Sequence, residues 1–366
     1  MNAAVPPVPA SAAAMIAAVV RPEIRALSAY AVAKPGALIK LDANESPYPL
    51  PPALQAAIAA AVAAVPVNRY PDAGADRLVA ALSASLALPE GAGVILGNGS
   101  DELIAMLTTL VAQPGAAMLV PEPTFVMYRM NALYNGMRCV GVPLRADLTL
   151  DADAMQAAVE RERPAVTFLA SPNNPTGNRF AAGDVERILR AAPGLVVVDE
   201  AYCAFADGTF LPRLSEFGNL VVLRTFSKIG MAALRLGYAV AAKEWIAELN
   251  KVRQPYNINA LTQAAAEAVL AAPEVVGNHV AAIRAERGRL LQALSAGQGL
   301  HVFPTEANFV LVRVPDGPRW FRELRDAGIL VKSFHGAHPL LVHCLRITVG
   351  TPDENDALIA ALGKIA

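Results

Sequence analysis

Residues 195–202 read LVVVDEAY, in which four aliphatic residues are followed directly by two acids. An apolar run without alternation is typical of a strand buried on both faces, as in a parallel sheet that helices cover. Similar runs recur along the chain, and helical stretches separate them; they lie at 94–96, 117–120, 166–169, 220–223 and 238–240. This alternation of strands and helices predicts an α/β fold with right-handed crossovers.

The segment after residue 300 has a different pattern. Apolar runs at 309–312, 329–331 and 345–349 flank a helical stretch at 318–327, and a second helical stretch covers 353–365. This order predicts a smaller α+β unit that the N-terminal part of the chain completes. We therefore expect an N-terminal arm over 1–45, a large domain over 66–272, and a small domain built from 46–65 and 273–366.

Composition limits the classes of function. The chain has 366 residues, of which 54% are hydrophobic and 17% charged, and 31 Lys and Arg residues balance 32 Asp and Glu residues. This composition excludes a disordered chain and gives no bulk attraction to nucleic acid or to an anionic membrane. The alanine-rich runs at 54–65 and 257–272 contain polar residues or proline, so neither predicts a membrane span.

The N-terminus and the cysteines both favour a cytoplasmic protein. The apolar stretch at 3–20 precedes the first positive charge, Arg21, whereas a secretion signal has its charge first. Cys139, Cys203 and Cys344 are far apart and have neither disulfide nor zinc spacing. The histidines between 335 and 343 lack metal-ligand spacing, so we expect no metal site.

Polar loops follow the predicted strands of the large domain. They lie at 97–102, 121–125, 171–177, 199–202 and 224–228, and several contain glycine or proline. In open α/β sheets the ligand binds beyond the carboxyl ends of the strands. The five loops are therefore expected to converge on one site.

Three of these loops carry residues with both a structural and a functional interpretation. The segment 97–102, GNGSDE, either binds a phosphate at a helix N-terminus or is an ordinary helix cap formed by Ser100 or Asp101. Asp199 at the end of a buried strand needs a cation, unless it caps the next helix. Lys228 is either a surface charge or a desolvated amine that can react with a carbonyl group.

Taken together, these residues suit an aldehyde cofactor with a pyridine ring and a phosphate. Such a cofactor needs an amine, an acid on the ring nitrogen, a phosphate site, a donor to the ring hydroxyl and a flat residue against the ring. In that order the chain offers Lys228, Asp199, Ser100 with Ser227 and Arg235, Asn174 or Tyr202, and Phe125.

Three of the motifs resemble a known family. SPNNPTG at 171–177, DEAY at 199–202, and Ser227-Lys228 with Arg235 resemble the fold-type-I, pyridoxal-phosphate-dependent aminotransferases of the aspartate aminotransferase superfamily, over about residues 22–366. The resemblance implies a mostly parallel seven-stranded sheet between helices and a smaller α+β domain. A closer resemblance is to the histidinol-phosphate aminotransferase branch; its segments are KLDANESPY (40–48), NRYPD (68–72), GNGSDE (97–102), RQPYN (253–257) and CLRITVG (344–350).

The resemblance implies a role for each matching residue. Lys228, Asp199 and Tyr202 would be catalytic. The implied cofactor-binding residues are Tyr70 from the neighbouring subunit, Ser100, Asp101, Phe125, Asn174, Asp199, Tyr202, Thr225, Ser227, Lys228 and Arg235. The implied substrate-binding residues are Tyr30, Asn44, Tyr256 and Arg346. One position departs from the family, because Lys332 stands where members often have arginine, and lysine lacks the two-pronged guanidinium.

The implied enzyme is a homodimer with shared active sites and pyridoxal 5'-phosphate as cofactor. It would exchange an amino group between L-histidinol phosphate and 2-oxoglutarate, or in reverse between imidazole-acetol phosphate and L-glutamate, in histidine biosynthesis. The alternatives are an aromatic or broad-range amino-acid aminotransferase and a phosphothreonine decarboxylase on the same fold. A transcription regulator with this fold would need a DNA-binding domain, for which the chain has no basic region.

Overall fold

A computed structural model describes residues 11–29 and 36–365. The strands are β1 (Ile39–Lys40), β2 (Ala92–Asn98), β3 (Ala117–Glu122), β4 (Arg138–Pro143), β5 (Val166–Ala170), β6 (Leu195–Asp199), β7 (Leu220–Thr225), β8 (Leu236–Ala242), β9 (His301–Val302), β10 (Phe309–Arg313), β11 (Ile329–Leu330), β12 (Lys332–Ser333) and β13 (Cys344–Thr348). The predicted substrate-binding residue Tyr30 lies outside the described residues.

The α-helices are α1 (Ala12–Val19), α2 (Pro22–Arg25), α3 (Pro52–Ala63), α4 (Asp76–Leu86), α5 (Gly99–Val111), α6 (Val126–Tyr134), α7 (Ala152–Glu162), α8 (Ala182–Ala191), α9 (Lys243–Val252), α10 (Ala260–Leu270), α11 (Pro273–Ser295), α12 (Gly317–Asp326) and α13 (Pro352–Ile365). Short turns of other helical types cover Cys203–Phe205, Leu211–Ser215, Ser227–Met231, Ala232–Leu234 and Pro339–Leu341.

The large sheet has seven strands in the order β2-β8-β7-β6-β5-β3-β4. Its strands are parallel except β8, which is antiparallel to both β2 and β7. Because β2 and β7 both oppose β8, they run in the same direction and end at the same edge of the sheet. The prediction of a mostly parallel seven-stranded α/β fold is confirmed.

Alternate residues of the central strands pack on opposite faces of this sheet, as the two-residue period of a strand requires. In β6, Val196 and Val198 belong to one core with α4, α7, α8 and α10. Leu195 and Val197 belong to another core with α5, α6 and α9. Helices therefore cover both faces, which explains why the strands are apolar throughout.

The smaller unit has an antiparallel sheet in the order β12-β13-β10-β9, and α11, α12 and α13 share its core. The N-terminal strand β1 pairs in parallel with β11, so the start of the chain completes this unit as expected. Helix α3, predicted to belong to the small domain, packs against α10, and its Ile58 lies on the core of the large sheet. The exact division into domains remains a prediction.

Candidate active site

A cavity of about 450 Å³ lies beyond the carboxyl ends of β2, β3, β5, β6 and β7, and residues of the small sheet close its other side. It brings together most of the predicted site residues. They are Asn44, Ser100, Asp101, Phe125, Asn174, Asp199, Tyr202, Thr225, Ser227, Lys228, Arg235 and Arg346, and Lys332 also lines the wall. The convergence of strand-end loops expected from the sequence is therefore present.

Lys228 lies in the turn that follows β7. Its Nζ donates a hydrogen bond to the carbonyl oxygen of Ala43, at 3.1 Å. Burial, followed by the positive charge of Arg346, lowers the pKa of the Lys228 amine to about 8. A substantial fraction of this amine is therefore unprotonated near neutral pH, as a nucleophile for a carbonyl group must be.

Asp199 is the last residue of β6, and 4% of its surface is exposed. Its Oδ2 accepts a hydrogen bond from the Tyr128 hydroxyl at 2.6 Å, and its Oδ1 accepts one from the N–H of Ala201 at 3.0 Å. Burial raises the pKa of Asp199 to about 6 despite these two donors. The carboxyl group is thus suited to a ligand that brings a cationic N–H into the cavity.

Tyr128 is a site residue that no motif in the sequence indicated. The tyrosine is fully buried in α6 and stacks on Phe168, with 4.7 Å between ring centres. Burial raises the pKa of its hydroxyl well above the ordinary value, so the hydroxyl keeps its proton and donates to Asp199. The alternation of side chains along β6 places Asp199 on the face of the sheet that α6 covers. The sequence therefore indicated that a residue of α6 could contact this acid.

The first turn of α5 and three side chains form an anion site, which we call the phosphate cup: residues 99–101 with Thr225, Ser227 and Arg235. Helix α5 begins at Gly99, which has a φ of 76°, and the N–H of the preceding Asn98 donates to Glu102 Oε2 at 2.6 Å. Among the described residues no side chain accepts from the N–H groups of 99–101, so these groups remain available to a ligand and the alternative of a Ser100 or Asp101 cap is wrong.

The polar side chains of the phosphate cup hold one another in place. The Thr225 hydroxyl donates to Ser227 Oγ at 3.0 Å, and Arg235 Nη1 donates to the same oxygen at 3.4 Å. Arg235 Nη2 lies 3.4 Å from the Asp101 carboxylate. Gly237 on β8 packs against the turn so closely that a Cβ there would lie 2.7 Å from Ser100 N.

Arg346 on β13 faces the cavity from the small sheet and is 7% exposed. Its Nη1 donates to Asn174 Oδ1 and its Nη2 to the carbonyl oxygen of Asp42, both at 2.6 Å. The guanidinium carbon lies 5.3 Å from the ring centre of Phe309 and 5.4 Å from that of Phe334. Asn174 thus links the loop after β5 to the cationic group that could receive an anion.

Tyr202 and Phe125 supply the aromatic part of the wall. The Tyr202 hydroxyl accepts a hydrogen bond from Asn44 Nδ2 at 3.0 Å, and its ring centre lies 6.0 Å from Lys228 Nζ. Phe125 packs edge to face on Tyr128, with 5.6 Å between ring centres. Tyr202 therefore lies near the Lys228 amine, and Phe125 packs against the tyrosine that donates to Asp199.

Two predicted residues do not line the cavity of their own chain. Tyr70 is 81% exposed and Tyr256 is 42% exposed, and their rings stack with 4.5 Å between centres and 14° between planes. Within the single chain this pair faces outward. The predicted roles, Tyr70 at the cofactor of the neighbouring subunit and Tyr256 at the substrate, stay predictions.

Over 11–29 and 36–365, no helix is both long enough and apolar enough to cross a membrane. Within the same ranges, no three His, Cys, Asp or Glu side chains are grouped so that they could share a metal ion.

Comparison with known proteins shows the family of the chain. A family model described as aminotransferase class I and II matches residues 37–362. The chain belongs to this family of aminotransferases.

Particular members are closely similar. The histidinol-phosphate aminotransferase of Chromobacterium violaceum is 56% identical over 94% of this chain and 97% of its own, and histidinol-phosphate aminotransferase 1 of Ralstonia nicotianae is 50% identical over 99% of both. Among solved structures, the histidinol-phosphate aminotransferase of Sinorhizobium meliloti, determined in complex with pyridoxal-5'-phosphate, superposes with a TM-score of 0.84 at 28% identity, covering 95% of this chain and 97% of that one.

Proposed function

We propose that the protein is a histidinol-phosphate aminotransferase with pyridoxal 5'-phosphate as its cofactor. It transfers the amino group of L-histidinol phosphate to 2-oxoglutarate. In the biosynthetic direction it transfers the amino group of L-glutamate to imidazole-acetol phosphate. One observation carries the proposal: a single cavity holds the Lys228 amine, the buried Asp199 carboxyl group and the Arg346 guanidinium. Relatives of that name, 56% and 50% identical over nearly the whole chain, support the choice of substrate.

The side chains of the cavity fit this cofactor. The phosphate cup offers helix N–H groups and Arg235 to a phosphate. Asp199, whose pKa burial raises to about 6, is stabilised as an anion by a protonated ring nitrogen. Phe125 offers a flat face to the ring, and Lys228 offers the amine that holds the carbonyl carbon. When bound, the cofactor supplies an electron sink for the charge that develops at the substrate's α-carbon.

The protein's own groups then perform two tasks. The Lys228 amine, with a pKa of about 8, would accept the proton from the substrate's α-carbon and hold it on Nζ for the return step. Arg346 binds the anionic end of the substrate, either the carboxylate of glutamate or the phosphate of histidinol phosphate. Because one guanidinium accepts either anion, a single pocket can serve both substrates.

We further propose that the protein is a cytoplasmic homodimer whose active sites are shared. The stacked, exposed Tyr70 and Tyr256 support this, because two large aromatic side chains on an outer surface suit an interface. A two-fold dimer would place each pair at the partner's cavity, with the Tyr70 hydroxyl on the cofactor phosphate.

Mixed dimers test the shared site. Losing a hydrogen bond to a charged phosphate costs about 1.5–3 kcal/mol, so a Tyr70→Phe homodimer should release cofactor about 10 to 150 times more readily. When a Tyr70→Phe chain pairs with a Lys228→Ala chain, the one site that contains Lys228 takes its tyrosine from the Lys228→Ala partner. That site should keep normal cofactor affinity and turnover. If it behaves like the Tyr70→Phe homodimer, the tyrosine acts within its own subunit.

Half-reactions test the substrate. The holoenzyme is mixed separately with histidinol phosphate, phenylalanine and phosphothreonine, and the absorbance of the bound cofactor is followed in time. We expect histidinol phosphate to react with a second-order rate constant at least ~10-fold above that of phenylalanine. At Arg346 its phosphate carries a charge of about −1.5 to −2 and three acceptor oxygens, whereas the carboxylate of phenylalanine carries one charge and two oxygens. Equal rates would indicate a broad-range aminotransferase, and release of carbon dioxide from phosphothreonine would indicate a decarboxylase.

A further inference from the structure

Asn44 has an unusual backbone conformation in the wall of the cavity. Its φ is 55°, in the left-handed region, and 1% of its surface is exposed. Asparagine tolerates this region better than most residues, but a buried residue stays there only when its surroundings hold it. The family resemblance implied that Asn44 binds substrate, and its hydrogen bonds indicate a different role.

The hydrogen bonds of Asn44 fix its orientation from two sides. Its N–H donates to Thr348 Oγ1 at 2.9 Å, and its carbonyl oxygen accepts from Asn308 Nδ2 at 2.9 Å. Because Thr348 Oγ1 accepts from that N–H, its own proton is free to donate, and Asn44 Oδ1 lies 3.2 Å away. The structure places the amide oxygen of Asn44 on this proton, so the oxygen faces Thr348.

This arrangement also decides the direction of the next hydrogen bond. With its oxygen on Thr348, the Asn44 amide presents Nδ2 to the Tyr202 hydroxyl, at 3.0 Å. An amide nitrogen can only donate, so the Tyr202 oxygen must accept. Tyr202 is 5% exposed, and among the described residues its hydroxyl proton meets no acceptor. The proton is thereby left to point into the cavity.

We propose that Asn44 is a positioning residue that keeps the Tyr202 hydroxyl a donor toward the ligand in the cavity. The series of hydrogen bonds from Thr348 through Asn44 to Tyr202 ends on an acceptor atom of the ligand. The inference rests on the proposed function, in which that acceptor is the ring oxygen of the cofactor. In this role Asn44 acts on the cofactor through Tyr202.

The pH titration of the bound cofactor's absorbance tests this role. A donor on the ring oxygen stabilises its anionic form, so loss of the donor raises the pH at which the bound cofactor loses its proton. For a hydrogen bond to a charged group, the expected upward shift is about 1 to 2 pH units. The holoenzyme is titrated as wild type, Asn44→Gly, Asn44→Asp, Tyr202→Phe and the two double variants, and cofactor dissociation constants are measured alongside.

Each variant has a defined purpose. Glycine accepts the left-handed backbone and removes the amide without adding charge, whereas aspartate keeps the contact to Thr348 but presents an acceptor to Tyr202. The aspartate charge raises the titration midpoint by itself, and it does so equally with Tyr202 or with Phe at that position. The difference between the two backgrounds therefore isolates the part that passes through the Tyr202 hydroxyl.

The proposal expects Asn44→Gly to raise the midpoint only when Tyr202 is present. It also expects Asn44→Asp to shift the midpoint about one unit more with Tyr202 than with Phe. Equal shifts in the two backgrounds would overturn it, and so would an unchanged midpoint in both Asn44 variants. If Tyr202→Phe alone moves neither the midpoint nor the dissociation constant, the cofactor placement in the proposed function is wrong as well.

Discussion

The clearest quantitative prediction concerns Phe334, whose ring centre lies 5.4 Å from the guanidinium carbon of Arg346. Leucine at this position keeps most of the apolar volume and removes the aromatic face. A cation beside an aromatic face gains about 0.5–2 kcal/mol, with the larger values at desolvated sites, and Arg346 is only 7% exposed. Since Phe309 remains at 5.3 Å, Phe334→Leu should loosen the guanidinium without displacing it.

We expect Arg346 to bind the anionic end of both substrates more weakly in this variant. The KM values for glutamate and for histidinol phosphate should rise about 2- to 30-fold together, and kcat should change by less than about 2-fold. Steady-state kinetics with each substrate varied at saturating co-substrate measure both parameters.

A matched control lies in the same small sheet. Arg313 is 5.2 Å from the ring centre of Phe303, which is buried whereas Phe334 is half-buried, so Phe303→Leu removes a contact of the same kind outside the cavity. This control should lose at least as much stability and keep both KM values. If the two variants change KM equally, or if Phe334→Leu changes only kcat, the aromatic contact does not position Arg346 for binding.

Two further predictions follow from the buried acid and from the phosphate cup. Because burial raises the pKa of Asp199 from 3.8 to about 6, the folded apoprotein favours the protonated acid and loses stability as the pH rises through that window. Asparagine does not titrate, so it does not share this loss. Urea titrations of the two apoproteins give the unfolding free energy of Asp199→Asn minus that of the wild type, and this difference should increase by up to about 3 kcal/mol between pH 4 and pH 7. A difference that stays constant with pH would contradict the raised pKa of Asp199. Gly237→Ala places a methyl group 2.7 Å from Ser100 N, so cofactor affinity measured by apoprotein reconstitution should fall about 5- to 150-fold, whereas the control Gly183→Ala, with open space around it, should leave affinity unchanged. An unaltered affinity in Gly237→Ala would show that the first turn of α5 does not bind the phosphate.

Most of the large sheet could be predicted from the sequence because its strands are buried on both faces. Each apolar run between 94 and 240 lies in a strand of the sheet. The apolar runs did not predict β4 (Arg138–Pro143), which lies at the edge of the sheet. In this strand Arg138 is exposed, and Gly141 leaves room for the Glu122 side chain. An edge strand of mixed polarity gives no continuous apolar signal.

The site could be predicted where its chemistry is local to a motif and not where it depends on contacts between distant elements. Asp199 ends β6, Lys228 lies in the turn after β7, and Arg235 directly precedes the antiparallel β8. All three therefore lie at the same edge of the sheet, as the fold requires. The contact of Tyr128 with Asp199 joins α6 to β6, and the contact of Asn44 with Thr348 joins the N-terminal segment to β13. Such pairs depend on how the elements pack, which residue types and spacing do not encode directly.

The most direct test of the account is to locate the lysine that carries the cofactor. The holoenzyme is reduced with borohydride, which makes the link between the cofactor and its lysine permanent, and the protein is then digested and mapped by mass spectrometry. The account predicts a pyridoxyl group on the peptide that contains Lys228, and none in Lys228→Ala, which should still bind cofactor reversibly through the phosphate cup and Asp199. A label on any other lysine, or no label in the wild type, would contradict it.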